Sequence, residues 1–332
     1  MKKSLIAFAV LGIIGGAAHA QTNFQMYGVV DIGIAHENTG AASVTRVDSG
    51  NLLGSRLGFK GTEDLGGGLS ANFVLENGFN AATGNLGQGG RLFGRQAWAG
   101  LAGGFGYVRL GRQYSPMWKV QVTVDPFGVG LTGGANGNTG AGMLALFYNN
   151  IRIDNTLKYG YSSGAFSTEA IYSFGGQADS ASKLAQTGFN AEYNNGPLYA
   201  AYAYHKANDA TGNDSIKVNL LAGMYNFGPV KLHGAFATNK GTGSADTRDT
   251  MLAASVPVGA GTILGSYIRH ANRAVANADS NQLGLGYTYA LSKRTTLYTS
   301  YSRNANDSGA NLNAGGLGMT DTLINVGITH KF

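Results

Sequence analysis

The stretch TLINVGITHKF (322–332) decides the fold. Ile324, Val326, Ile328 and Phe332 share one parity, and Asn325, Thr329 and Lys331 share the other, with Gly327 between them. Only His330 breaks the apolar row. A period of two is the mark of a strand with one apolar face, since successive side chains point to opposite sides. Upstream, Leu283, Leu285, Tyr287 and Tyr289 alternate with Gln282, Gly284, Gly286 and Thr288. Near the other end, Phe24, Met26, Val30 and Ile32 alternate with Gln25, Tyr27 and Asp31. Seven short Gly- or Asn-rich connections punctuate the chain, at 61–68, 102–105, 162–165, 194–197, 227–230, 258–262 and 291–295. Eight longer polar stretches alternate with them, at 36–49, 78–91, 113–150, 175–183, 206–215, 239–248, 271–280 and 304–320. Together they delimit sixteen antiparallel strands, with both termini on the short-turn side.

Composition narrows the class. The 332 residues include 53 glycines, 5 prolines and no cysteine. Disulfide scaffolds, zinc ribbons and thiol enzymes are thereby excluded. One glycine in about six does not suit a helical bundle, because each interior glycine costs roughly 0.5–1 kcal/mol relative to alanine. Only 13 % of residues are charged and 10 % are aromatic, which does not suit a disordered chain. Met1-Lys2-Lys3, the apolar run from Leu5 to Ala18, and Ala18-His19-Ala20 form the three parts of a secretory signal peptide over residues 1–20. The run is too short for a spanning helix, which needs about 20 residues. Without Lys2 and Lys3, the 24 basic residues become 22 against 18 acidic ones, a net of +4. That mild surplus, unclustered, is no nucleic-acid footprint. No later segment has the apolar length of a membrane helix. A membrane protein without one must be a closed barrel, because only helices and barrels satisfy their backbone groups in lipid. An even strand count, with short turns at one end and long loops at the other, is the plan of an outer-membrane barrel. A soluble β-sandwich shares the alternation with its polarity inverted; the signal peptide, the unequal loops and the terminal Phe favour the membrane form. Aromatic residues near the short turns (Phe166, Tyr287, Tyr289, Phe332) fit an interfacial girdle.

Ordered motifs along the whole chain carry a family resemblance: MYGVVDIGI (26–34), SRLGFKGTEDLGGGL (55–69), FVLENGF (73–79), GRLFGRQAWAGL (90–101), FGYVRLGRQYSP (105–116), DPFG (125–128), NIRIDNTLKYGYS (150–162), ALSKRTTLY (290–298) and VGITHKF (326–332). The chain resembles the trimeric general porins of the Gram-negative outer membrane, beta-proteobacterial branch. The resemblance implies an all-β, 16-stranded antiparallel transmembrane β-barrel, a homotrimer amid outer-membrane lipid and lipopolysaccharide, and passage of ions and small hydrophilic solutes. It also implies a long third loop folded into the lumen. Residues 113–150 are the longest break, and their glycines at 128, 130, 133, 134, 137, 140 and 142 permit sharp bends. Taken without the resemblance, an infolded and an external loop stand about even.

A passive channel needs fixed charges facing water. Arg or Lys facing lipid at mid-bilayer costs about 2–4 kcal/mol, so charged strand residues belong in the lumen. Arg56 alternates against Leu57 and Phe59, and Lys60 shares its face. Arg95 precedes Gln96 and Trp98; Arg109 lies between Val108 and Leu110, and Arg152 between Ile151 and Ile153. Lys158 follows on the face of Arg152, with Asp154 between. Asp31 and Glu76 are inward acids on early strands, and Asp125 offers a carboxylate at the narrowest point. The resemblance matches Arg56, Arg95 and Arg152 to the family's wall arginines, and Glu76 to an acid beside them. A basic surplus of this kind predicts a weak anion preference.

Two motifs invite enzymatic readings and fail on context. GYSSG (160–164) fits a nucleophile elbow, but a strand follows it where a helix is required. GVGLTG (128–133) has no βαβ unit around it. The six histidines show no metal-ligand spacing, so neither metal nor cofactor is expected. The competing functions are a plugged anchor or adhesin barrel, which would show large apolar inner residues, and a barrel enzyme, which would need a catalytic set at one rim.

Overall fold

The computed structural model describes residues 23–128, 130, 141–148, 150–178, 180–241 and 246–332. The signal stretch 1–20 lies outside them, as do the loop glycines 133, 134, 137 and 140.

Alternation becomes a wall. In chain order the strands are β1 (Asn23–Asn38), β2 (Ser43–Ser49), β3 (Arg56–Gly66), β4 (Leu69–Gly78), β5 (Gln96–Gly103), β6 (Gly106–Tyr114), β7 (Arg152–Ser163), β8 (Phe166–Ser173) and β9 (Gln186–Asn195). They continue as β10 (Leu198–Asn208), β11 (Asp214–Asn226), β12 (Lys231–Gly241), β13 (Asp246–Val258), β14 (Gly261–Asn272), β15 (Ser280–Ala290), β16 (Thr295–Asn306) and β17 (Thr320–Lys331). Among the described residues between β6 and β7 lie an α-helix, α1 (Pro116–Val124), and a single 3-10 turn (Met143–Ala145). Every neighbouring pair is antiparallel, and β1 pairs with β17 from Val29↔Lys331 to Asn38↔Thr322, which closes the sheet. β2 and β3 pair with successive halves of β1, through Ile32–Asn38 and Asn23–Val29. They are two halves of one wall strand, so the closed barrel has sixteen wall strands.

The faces divide as the sequence indicates. Leu221, Leu252, Leu285 and Val326 are half or more exposed on one face, where hydrocarbon replaces water. Asn190, Gln282, Ser300 and Asn325 are buried on the other. All seven short turns fall at one end of the barrel. At that end the chain seals itself: Gly28 and Phe332 exchange backbone N–H···O bonds of 3.1 Å each. A Cβ on Gly28 would stand 2.1 Å from the Phe332 ring, so glycine makes room for the terminal aromatic.

Two boundaries differ from expectation. The stretch 36–49 is not a loop: β1 and β2 run through it around a turn at 39–42. The residues there are mostly polar, so they lack the alternation of hydrophobicity that marks a strand in sequence. The stretch 113–150 contains α1, which a glycine-rich loop reading passes over.

Candidate functional site

Local chemistry starts the helix. The Ser115 hydroxyl accepts the Trp118 N–H at 3.1 Å and Pro116 occupies the first turn, where its missing N–H costs nothing. Ser115 also donates to the Asn150 carbonyl at 2.5 Å, which ties the two ends of the 113–150 segment together. One face of α1 is apolar. Met117, Val120 and Val124 join Met143–Phe147 in a cluster with Tyr199, Ala201 and Ala203 of β10, Val218, Leu220 and Ala222 of β11, Ala235 and Ala237 of β12, Met251 of β13 and Ile268 of β14. These strand residues have the parity opposite to the exposed apolar row. Fully burying each large apolar side chain is worth about 1.5–3 kcal/mol. Polar ties add to the seam: Gln121 donates to the Tyr148 carbonyl at 2.8 Å, Ser266 to the Ala141 carbonyl at 2.8 Å, and Asn313 to the Ala145 carbonyl at 2.9 Å.

Away from that seam, Trp118, Lys119 and Val122 line a cavity of about 500 Å³ with residues of β3, β5, β6, β7 and β8. Its basic side chains are Arg56, Arg95, Arg109, Lys119, Arg152 and Lys158; its one acid is Glu169.

Tyr114 is the hub of the arginines. Its hydroxyl accepts from Arg95 at 2.9 Å and Arg152 at 3.2 Å, and lies 3.4 Å from Glu76 as donor. Its ring stacks on Trp118, and the Arg152 guanidinium lies 4.9 Å from its centroid. Glu76 is buried, pairs with Arg95 at 2.8 Å and accepts from Tyr27 at 2.9 Å. Arg56 donates to the Gly54 carbonyl at 2.9 Å. The buried Arg152 Nε has no hydrogen-bond partner among the described residues.

A second knot joins the helix to the wall. Lys119 of α1 lies 3.3 Å from Glu169 and 3.0 Å from Glu192, and Lys158 lies 2.5 Å from Glu169. Tyr107 and Tyr199 donate to the same two carboxylates. Burial works against the Lys119 charge, but Glu169 and Glu192 more than offset it and hold the ammonium above the ordinary lysine range. Arg109 lies over the Trp98 ring at 4.2 Å and the Tyr107 ring at 3.9 Å.

The sequence-based candidates therefore divide. Arg56, Arg95, Arg109, Arg152 and Lys158 meet at the cavity, with Glu76 behind Arg95. Lys60 does not join them; it sits under Tyr27, in a separate pocket toward the short turns. Asp125 does not present a carboxylate to the cavity. It is 3 % exposed and accepts the N–H groups of Phe127 at 3.0 Å and Met143 at 2.6 Å, so it pins the segment to itself. Asp31 is fully buried and accepts from Tyr298 at 2.8 Å and from the Leu53 N–H at 3.0 Å, shaping the break between β2 and β3. Both acids are structural because backbone donors surround them. Strict alternation from Arg152 to Lys158 also fails. The register of β6 against β7 shifts at Gly111/Gln113, Asn155 has φ 54°, and Ile153 rather than Arg152 joins Thr156 and Lys158 on the buried face despite its odd number. Glu169, Glu192, Lys119 and Tyr114 were missed. The two glutamates alternate with exposed neighbours and were open to the same parity test; Lys119 and Tyr114 lay inside the loop reading.

The model of the Gram-negative porin family matches residues 7–309. The chain belongs to the Gram-negative porin family. This porin is 37 % identical to outer membrane porin protein 32 of Delftia acidovorans and 33 % identical to an outer membrane porin protein of Bordetella pertussis, each alignment covering both chains completely. Its fold is similar to that of the anion-selective porin from Comamonas acidovorans, with a TM-score of 0.80 and 30 % identity over 94 % of this chain and all of that one. The porin is an outer-membrane diffusion channel. A sixteen-stranded barrel is wide enough to leave an aqueous path.

Proposed function

We propose that the 113–150 segment is a constriction loop inside the lumen and that the channel it narrows prefers anions weakly. The observation that carries this reading is the lining of the cavity beside α1, where six basic side chains face one acid. The contacts of α1 and Met143–Phe147 with the inward parity of β10–β14 support the infolded loop. The name of the Comamonas acidovorans relative supports the anion preference. Arg56, Arg109 and Arg152 act as fixed positive charges, and Arg95 is one whose charge Glu76 partly balances. In a narrow low-dielectric passage such charges raise the local concentration of anions. No chemical step is needed, and no cofactor. In this reading residues 1–20 are removed on export, and the barrel assembles as a homotrimer within outer-membrane lipid and lipopolysaccharide, passing ions and small hydrophilic solutes.

A planar bilayer with a KCl gradient tests it. The mature protein is expected to conduct in steps grouped in threes, with a reversal potential of anionic sign. The combined Arg56→Ala, Arg95→Ala and Arg152→Ala variant is expected to lose that preference. A reversal potential of cationic sign in the unaltered channel would overturn the reading.

A further inference from the structure

Arg109 faces two spaces. Besides the cavity at α1 it lines a pocket of about 440 Å³ nearer the short turns, shared with Lys60, Trp98, Asn72 and Gln25. Register builds this pocket across the wall: Gln25 lies opposite Lys60, Thr62 opposite Asn72, Asn72 opposite Gly100, and Gly100 opposite Arg109. The pocket opens on the inward parity, so lipid does not reach it.

Its two cations differ from their neighbours. Arg95, Lys119 and Lys158 each have a carboxylate within 3.3 Å. Lys60 and Arg109 have no carboxylate partner among the described residues; both lie over aromatic rings. On the strand of Lys60, Asp64 has the same parity, but its carboxylate accepts the Gly66 N–H at 2.8 Å. The rings of Trp98 and Tyr107 fix the Arg109 guanidinium in place without neutralising it. A guanidinium stacked on rings keeps its N–H edge for an oxyanion approaching in plane. The Gln25 amide, which also lines the pocket, adds a neutral donor.

We propose that this pocket is a second anion station, which holds a small doubly charged oxyanion of the phosphate class between the Lys60 ammonium and the Arg109 guanidinium. The proposal rests on the channel reading and extends it. Conduction is favoured by several weak sites in series, so that an ion released by one is accepted by the next. Arg109, which borders both spaces, passes the anion between the arginine cluster and the short-turn mouth.

The test is inhibition of chloride current by inorganic phosphate at about pH 8, where phosphate is mainly a dianion. Wild type is expected to show a saturating inhibition. Lys60→Gln and Arg109→Gln are each expected to raise the half-inhibiting concentration about tenfold, the usual effect of losing a charged hydrogen bond. Lys60→Arg is expected to keep the inhibition near the wild-type value. Line broadening of the phosphate ³¹P signal by folded, detergent-solubilised protein gives a second reading, independent of conduction. Equal inhibition and equal broadening in wild type and both Gln variants would overturn the station while leaving the channel intact. Folded wild-type protein that conducts nothing would overturn the channel reading itself.

Discussion

The two halves of the barrel wall treat the 113–150 segment in opposite ways. From β10 to β14 the inner face offers alanines, Val218, Leu220, Met251 and Ile268, and α1 and Met143–Phe147 lie on them with their apolar side. From β3 to β8 the inner face offers arginines, lysines, Glu76, Glu169 and aromatic rings, and a cavity remains. On the infolded reading proposed above, the difference teaches how such a loop would be held off-centre in a water-filled barrel. Apolar contacts close one side, because they gain by expelling water. Charged groups keep the other side open, because leaving water is costly for them. Among the described residues, the ion pairs that cross from helix to wall are those of Lys119 with Glu169 and Glu192, and they lie at the border of the two halves.

The largest effect is expected where that division is broken outright. Val120 has no exposure and lies at the centre of the seam. A Val120→Asp carboxylate there would lack any partner, at a cost of several kcal/mol. The segment should detach, and single-channel conductance should rise and become noisy. A quiet channel of unchanged size would break the comparison.

Next comes Glu76→Ala, which strands the Arg95 guanidinium in a site only 8 % exposed at the side chain. Breaking a buried pair this way costs about 3–5 kcal/mol. The folded, heat-modifiable form should convert at lower temperature, while the surviving channels become more anion-selective because one wall charge is unmasked. Loss of stability with lower anion preference would contradict the role given to Glu76. Arg152→Ala should have a smaller effect: a reversal potential shifted toward zero without loss of the folded form, read in the same KCl gradient.

These variants also mark what was legible in the sequence. Parity alone located Arg56, Arg109 and Glu76, because on a strand the face of a residue follows from its number. It failed at Asp31 and Asp125, whose parity or position is right but whose carboxylates are taken by backbone N–H groups at a chain break and a loop corner. Nothing in the alternation reports those donors. The alternation also breaks between Arg152 and Lys158, where one extra residue at Asn155 reverses the count, although both side chains line the cavity. The strand number, the short turns and closure at Phe332 were readable, since each is a local pattern. The helix was signalled only by Ser115-Pro116, a weak cue amid glycine.

The smallest effect concerns pH. The Lys119 ammonium is held above the ordinary lysine value, so its link contributes fully below that value and fades only as pH rises through the raised one. Current noise should therefore stay constant through neutral and mildly alkaline pH and increase only in strong alkali. Lys119→Met should show the added noise at every pH.

The division of the lumen has a direct chemical test, because the chain has no cysteine of its own. Gln96 lines the cavity, and Ala222 lies in the seam beneath α1. Single Gln96→Cys and Ala222→Cys channels would be exposed to a charged thiosulfonate reagent while current is recorded. The account predicts rapid modification and a current drop for Gln96→Cys, and no reaction for Ala222→Cys. Equal rates at the two positions would contradict it.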